Sequence, residues 1–113
     1  MPSKTLSPPE TRQEHIEEIA PLYHVVLLDD DDHTYDYVIE MLQKLFLHSE
    51  AEAYQHAVEV DTTGRTIVIT CGLAEAEFGR DQIQAYGPDW RMPRSKGSMR
   101  ATIEPAQGPR VME

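Results

Sequence analysis

At 113 residues the chain has room for one small domain and a single modest core. Its 40% apolar content is that of a globular protein, while a net charge of -10 argues against a nucleic-acid backbone or an anionic membrane as partner, because both would be repelled. A single cysteine excludes an internal disulfide, and no apolar run approaches the roughly 20 residues of a membrane span or the core of a signal peptide, so the cytosol is the expected compartment.

Residues 1–20 are polar and proline-bearing, with Ser7-Pro8-Pro9 followed by Thr11-Arg12-Gln13-Glu14-His15, and they read as a flexible arm. Pro21 separates the arm from Tyr23-His24-Val25-Val26-Leu27-Leu28, an apolar run halted by Asp29, Asp30, Asp31 and Asp32, which is the pattern of a buried strand entering a turn. From Tyr35 to Phe46 the residues Val38, Met41, Leu42, Leu45 and Phe46 recur at helical spacing, with Asp32 or Thr34 available as N-cap. Ser49 followed three residues later by Glu52 predicts a capping box and a second helix, with Ala53, Ala57 and Val60 facing inward and Gly64 closing it.

Thr66 to Cys71 is almost uniformly β-branched and is expected to be the central strand. A third helix is expected from Ala74 to Tyr86 with Phe78, Ile83 and Tyr86 buried, weakened by Gly79 and ended by Gly87-Pro88. A loop rich in Pro, Gly and basic residues runs from Pro88 to Ser98, and Met99 to Glu104 alternates faces as a third strand ended by Pro105. The predicted fold is α+β: a three-stranded antiparallel sheet with three helices on one side, in the order β-α-α-β-α-β, over residues 21–106, followed by a loose tail at 107–113.

The four consecutive aspartates admit several chemistries. Turn formation and helix capping by Asp31, Asp32, His33 and Thr34 account for part of the run, since short polar side chains hydrogen-bond local backbone and carboxylates favour a helix N-terminus. A calcium loop would use Asp29, Asp31 and Glu40, but its sixth position is Thr34 rather than glycine, and a strand stands where that motif has a helix. A receiver-domain reading lacks the phosphoacceptor at a later strand end, which here is Thr70-Cys71-Gly72. Nucleophilic catalysis has no support either, because Cys71 is expected to be a small core residue without a basic neighbour. The remaining chemistry is capture of an ammonium group, with carboxylates at the mouth of an apolar cavity.

The segments Leu22 to Asp31 and Tyr37-Val38-Ile39-Glu40-Met41-Leu42-Gln43-Lys44-Leu45-Phe46 resemble the ClpS adaptor family. Gly64-Arg65, Ala74-Glu75 and Thr102-Ile103-Glu104-Pro105-Ala106 agree with it in order. The resemblance implies a non-catalytic adaptor, needing no cofactor, that binds N-degron peptides through a bulky hydrophobic N-terminal residue. It further implies delivery of such substrates to an Hsp100 unfoldase of the ClpA or ClpC class. By position, Asp29 stands where the family has an asparagine and Asp30 where it has an aspartate, the two residues that contact the substrate's α-amine. Tyr35, Val38, Ala57 and Met99 match positions lining the side-chain pocket.

This sequence departs from the family at several of these places. Asp61 replaces the pocket histidine, Ala57 and Tyr35 replace methionines, His33 replaces the capping threonine, and Glu77 stands for the lysine that helps dock the unfoldase. Asp61 is expected to restore a polar contact to the bound amine, Ala57 to enlarge the cavity and Tyr35 to refill it. The competing expectation is a paralogue that keeps the fold but binds another cationic ligand or a metal as a regulatory module.

Overall fold

The computed structural model describes residues 21–106; the expected arm at 1–20 and tail at 107–113 lie outside them. Strand β1, Tyr23–Leu28, leads through the acidic turn into helix α1, Tyr35–Phe46, and helix α2, Glu50–Thr63. Strand β2, Arg65–Cys71, helix α3, Leu73–Gln84, and strand β3, Ala101–Pro105, complete the order β-α-α-β-α-β. Both strand pairings are antiparallel, as expected.

The sheet order is β2-β1-β3, so β1 and not β2 is central. The β-branched run of β2 suggested burial on both faces, but buried Thr66 and Val68 alternate with outward-facing Ile67 and Thr70, the pattern of a half-exposed edge strand. The true signature of the centre is the consecutive burial of Val25, Val26 and Leu27. A register shift beside Val25 and Val26 offsets the β1–β2 pairing by one residue.

Local chemistry fixes the helix ends. Thr34, not Asp32, caps α1: its side chain accepts a hydrogen bond from Tyr37 N at 3.1 Å. Ser49 and Glu52 form the expected capping box of α2. Gly64 ends α2 at φ 94, a left-handed conformation that a residue with a Cβ adopts only under strain, and its N–H donates to Val60 O.

Helix α3 packs on β1 and β3, α2 packs on β2, and α1 rests on α2 and α3. The buried face of α3 is Ala76, Gly79 and Ile83; Phe78, expected inside, is 64% exposed. The reason lies at Gly79, where a Cβ would come within 3.2 Å of the Phe46 ring and 3.3 Å of Ile69. That close approach of helix backbone to ring selects the face containing Gly79 and rotates Phe78 to the surface. Tyr86 lies beyond the helix and is half-buried. Cys71 is likewise only half-buried, not a core residue.

Candidate functional site

The end of β1, the start of α1 and the inner face of α2 meet around one small cavity of about 40 Å³. It is lined by Asp29, Asp30, His33, Thr34, Tyr35, Val38, Ala57, Val60, Asp61 and Met99. All the residues singled out for the amine and the side-chain pocket therefore converge there, although they come from four separate stretches of chain. Val60, read from the sequence only as a core residue, completes the apolar wall with Val38, Ala57 and Met99, all of which are buried.

The mouth of this cavity is acidic. Asp29 is held in place by its backbone N–H, which donates to Gly64 O at 3.0 Å and so ties the turn to the end of α2. Burial pushes the Asp29 carboxyl above its ordinary value; the Asp30 N–H offsets part of this, and the negative charges of Asp61, Asp30 and Asp31 add to the rise. Among the described residues Asp29 forms no ion pair, and an ammonium is the kind of group that would supply its counter-charge. Asp30 accepts from Asp32 N at 2.9 Å, a local turn that leaves its side chain fixed at the rim. Across the mouth the Tyr35 hydroxyl donates to Asp61 Oδ2 at 2.6 Å. That hydrogen bond, then burial and the negative charges of Asp61 and Asp29, push the Tyr35 phenol up to about 12.

His33 serves as a bridge rather than as the helix cap. Its Nδ1 lies 2.7 Å from Asp30 Oδ1 and its Nε2 lies 2.7 Å from Gly97 O, so it joins the acidic turn to the long loop. The ring also lies 4.4 Å from that of Tyr37, tilted by 45°. Asp31 is exposed, and Asp32 pairs with Arg94 Nε at 3.0 Å. Neither lines the cavity.

The part that sequence reading missed is the loop's own hold on the site. Asp89, only 1% exposed, accepts from both Thr34 N and Thr34 Oγ1 at 2.7 Å, reinforcing the start of α1 from a position 55 residues away. Its other oxygen accepts from Arg91 N at 3.0 Å and Arg91 Nη1 at 3.1 Å, and Arg91 reaches on to Glu40 at 2.7 Å. Burial alone would raise the Asp89 carboxyl, but the donors from Thr34 and Arg91 outweigh it and hold the group at about 2. An acidic residue within a basic loop was the one available signal in the sequence.

Other candidate chemistry is absent from this region. Among the described residues no group of three or more His, Cys, Asp or Glu side chains is placed to hold a metal ion. His24, His48 and His56 bond to Thr70, the Val68 carbonyl and Thr66, away from the cavity. Burial, followed by the Glu75 charge, pushes the Cys71 thiol up, which disfavours the nucleophilic thiolate. No described helix is long and apolar enough to cross a membrane.

With this geometry in view, the family model of the ATP-dependent Clp protease adaptor protein ClpS matches residues 18–93. The chain belongs to the ClpS family. It is 34% identical over 88 residues to the ATP-dependent Clp protease adapter protein ClpS of Synechococcus sp., covering 77% of this chain and 94% of that one. It is also 33% identical over 79 residues to the E3 ubiquitin-protein ligase UBR1 of Homo sapiens, a stretch that is 70% of this chain but 4% of the ligase. Among solved structures it resembles Agrobacterium tumefaciens ClpS2 bound to L-phenylalaninamide, with a TM-score of 0.65 and 25% identity over 75% of this chain and 96% of that one.

Proposed function

We propose that this protein is an adaptor that binds the free N-terminus of substrate proteins bearing a bulky hydrophobic first residue and delivers them to a Clp-type Hsp100 unfoldase for proteolysis. The observation that carries this reading is the junction of two chemistries in one cavity: carboxylates of Asp29, Asp30 and Asp61 at the mouth, and Val38, Ala57, Val60 and Met99 within. An α-ammonium needs the first and an apolar side chain needs the second. The likeness to ClpS2 supports the same assignment, since L-phenylalaninamide is an aromatic residue with a free α-amine and a blocked carboxyl, the chemistry of a peptide's first residue.

The energetics suit an adaptor. Each charge-assisted hydrogen bond to the amine contributes about 1.5–3 kcal/mol, and burying the first side chain about as much again. After the cost of ordering the peptide, two or three such contacts give a Kd of about micromolar, weak enough for cargo to be released. Nothing in this scheme needs a catalytic group or a cofactor. The unfoldase partner places the encounter in the cytosol, and Glu77, exposed on α3, is the position where a docking contact different from the usual lysine is expected.

Delivery is tested with a folded reporter carrying Phe, Leu or Met at its N-terminus, incubated with a ClpA-class or ClpC-class unfoldase and its peptidase. We expect the protein to accelerate loss of the Phe and Leu reporters and not the Met reporter, and an Asp30→Ala variant to abolish the effect. Equal loss of all three reporters with and without the protein would refute delivery.

A further inference from the structure

The small cavity opens beside a second concavity of about 510 Å³, and the two share Asp30 and His33 as a common wall. The rest of the second's wall carries Arg94, Lys96 and Arg100, together with Asp32, which pairs with Arg94. In a chain of net charge -10 this is a local reversal: the stretch from Arg91 to Arg100 holds Arg91, Arg94, Lys96 and Arg100, four of the ten lysines and arginines, and no acidic residue. Two of the four are engaged. Arg91 is bonded to Asp89 and Glu40, and Arg94 pairs with Asp32 and donates to the Asp31 carbonyl. Lys96 and Arg100 are exposed and form no ion pair with another described residue.

We infer that this concavity receives the second and third residues of the bound substrate, and that Lys96 and Arg100 make it select substrates with an acidic side chain there. The inference rests on the adaptor reading, which places the substrate's α-amine at Asp29 and Asp30. An extended peptide advances about 3.3–3.6 Å per residue, so a chain whose amine lies against Asp30 has its next one or two residues beside the shared wall. Successive side chains of an extended peptide point to opposite sides, so one of positions two and three faces the basic wall. Charge complementarity then favours Asp or Glu. The protein's overall charge favours the opposite, a basic peptide, which makes the two expectations separable.

The test uses the full chain and labelled peptides that begin with Phe and carry Ala, Lys or Glu at position two or three, each with an N-acetylated counterpart, at low and high salt. Exposed pairs of this kind change affinity about two- to fivefold, so a Glu peptide is expected to bind that much more tightly than its Ala counterpart, and a Lys peptide more weakly. The preference should shrink when added salt shortens the screening length to a few ångströms. It should vanish in a Lys96→Gln, Arg100→Gln double variant that still binds the Phe-Ala peptide as the parent does. If free-amine peptides bind but ignore residues two and three, or prefer Lys, the inference is overturned and the adaptor reading stands. If acetylation makes no difference to any peptide, the adaptor reading falls and takes the inference with it.

Discussion

The Tyr35 hydroxyl, on the first turn of α1, is hydrogen-bonded at 2.6 Å to Asp61 on the last turn of α2, 26 residues away, and this clasp spans the mouth of the small cavity. Beneath it the cavity measures about 40 Å³. An apolar cavity that binds benzene is about 150 Å³, so on the adaptor reading an aromatic first residue would enter only once Tyr35 swung out. Tyr35 is 36% exposed, and among the described residues its aromatic neighbour is Tyr54, so the hydrogen bond to Asp61 is the main restraint on that movement. Tyr35→Phe keeps the ring and removes the clasp. We expect it to tighten binding of a Phe-initiated peptide by about two- to tenfold, the range of one net hydrogen bond. An unchanged or weakened affinity in a titration would show that the clasp does not restrain entry.

If Asp29 holds the substrate's amine as proposed, binding has a pH dependence of definite sign. Burial and then the neighbouring charges raise its carboxyl above the ordinary value of 3.8, so the folded apo protein loses stability as pH rises through the unfolded value toward the raised one. A bound ammonium favours the ionised form and offsets that loss. Affinity for a free-amine peptide is therefore expected to fall as pH drops, beginning above the range where an unshifted aspartate titrates. In Asp29→Asn that part of the fall should disappear, and isothermal titration across the acidic range is the check.

Asp89 anchors the site from the loop. Removing a buried acceptor leaves the Thr34 N–H and the hydroxyl hydrogen without an acceptor, so Asp89→Ala is expected to cost about 1–3 kcal/mol of stability. That corresponds to a fall in Tm of about 4–8 °C per kcal/mol for a domain of this size. Because the folded carboxyl is held at about 2, below its ordinary 3.8, its contribution is complete above 3.8 and is lost as pH falls toward 2. Acid unfolding of the parent and the variant should converge across that window, and thermal melts at stepped pH measure it.

A stability gain is available away from the site. Leu47 ends α1 at φ 58, a left-handed conformation costly for a residue with a Cβ, and its side chain is 87% exposed, so little packing depends on it. Leu47→Gly relieves that cost, less the extra freedom glycine gains in the unfolded chain, for a net gain of about 0.5–1 kcal/mol. Urea denaturation should show a higher midpoint with an unchanged slope.

What was legible in the sequence follows the range of the interactions involved. The capping box at Ser49 and Glu52, the periodic face of Val38, Met41 and Leu42, and the halt of β1 at Asp29 are local patterns, and each has its expected structural counterpart. The cavity residues were found by resemblance, since Asp29, Tyr35, Ala57 and Met99 are brought together only by the fold. Three features escaped because they depend on partners distant in the chain. The central place of β1 is decided by β3, the exposure of Phe78 by the fit of Gly79 against Phe46, and the burial of Asp89 by the Thr34 donors at the start of α1. Composition of the Pro88 to Ser98 segment correctly marked a loop, but it carried no sign that this loop braces the acidic turn.

Equilibrium binding of one peptide in two forms tests the central claim most directly: a labelled chain beginning with Phe, and the same chain N-acetylated. A cavity that holds the α-ammonium at Asp29 and Asp30 should bind the free form with a Kd of about micromolar and the acetylated form at least about tenfold more weakly. Equal affinities, or binding of neither form, would contradict it.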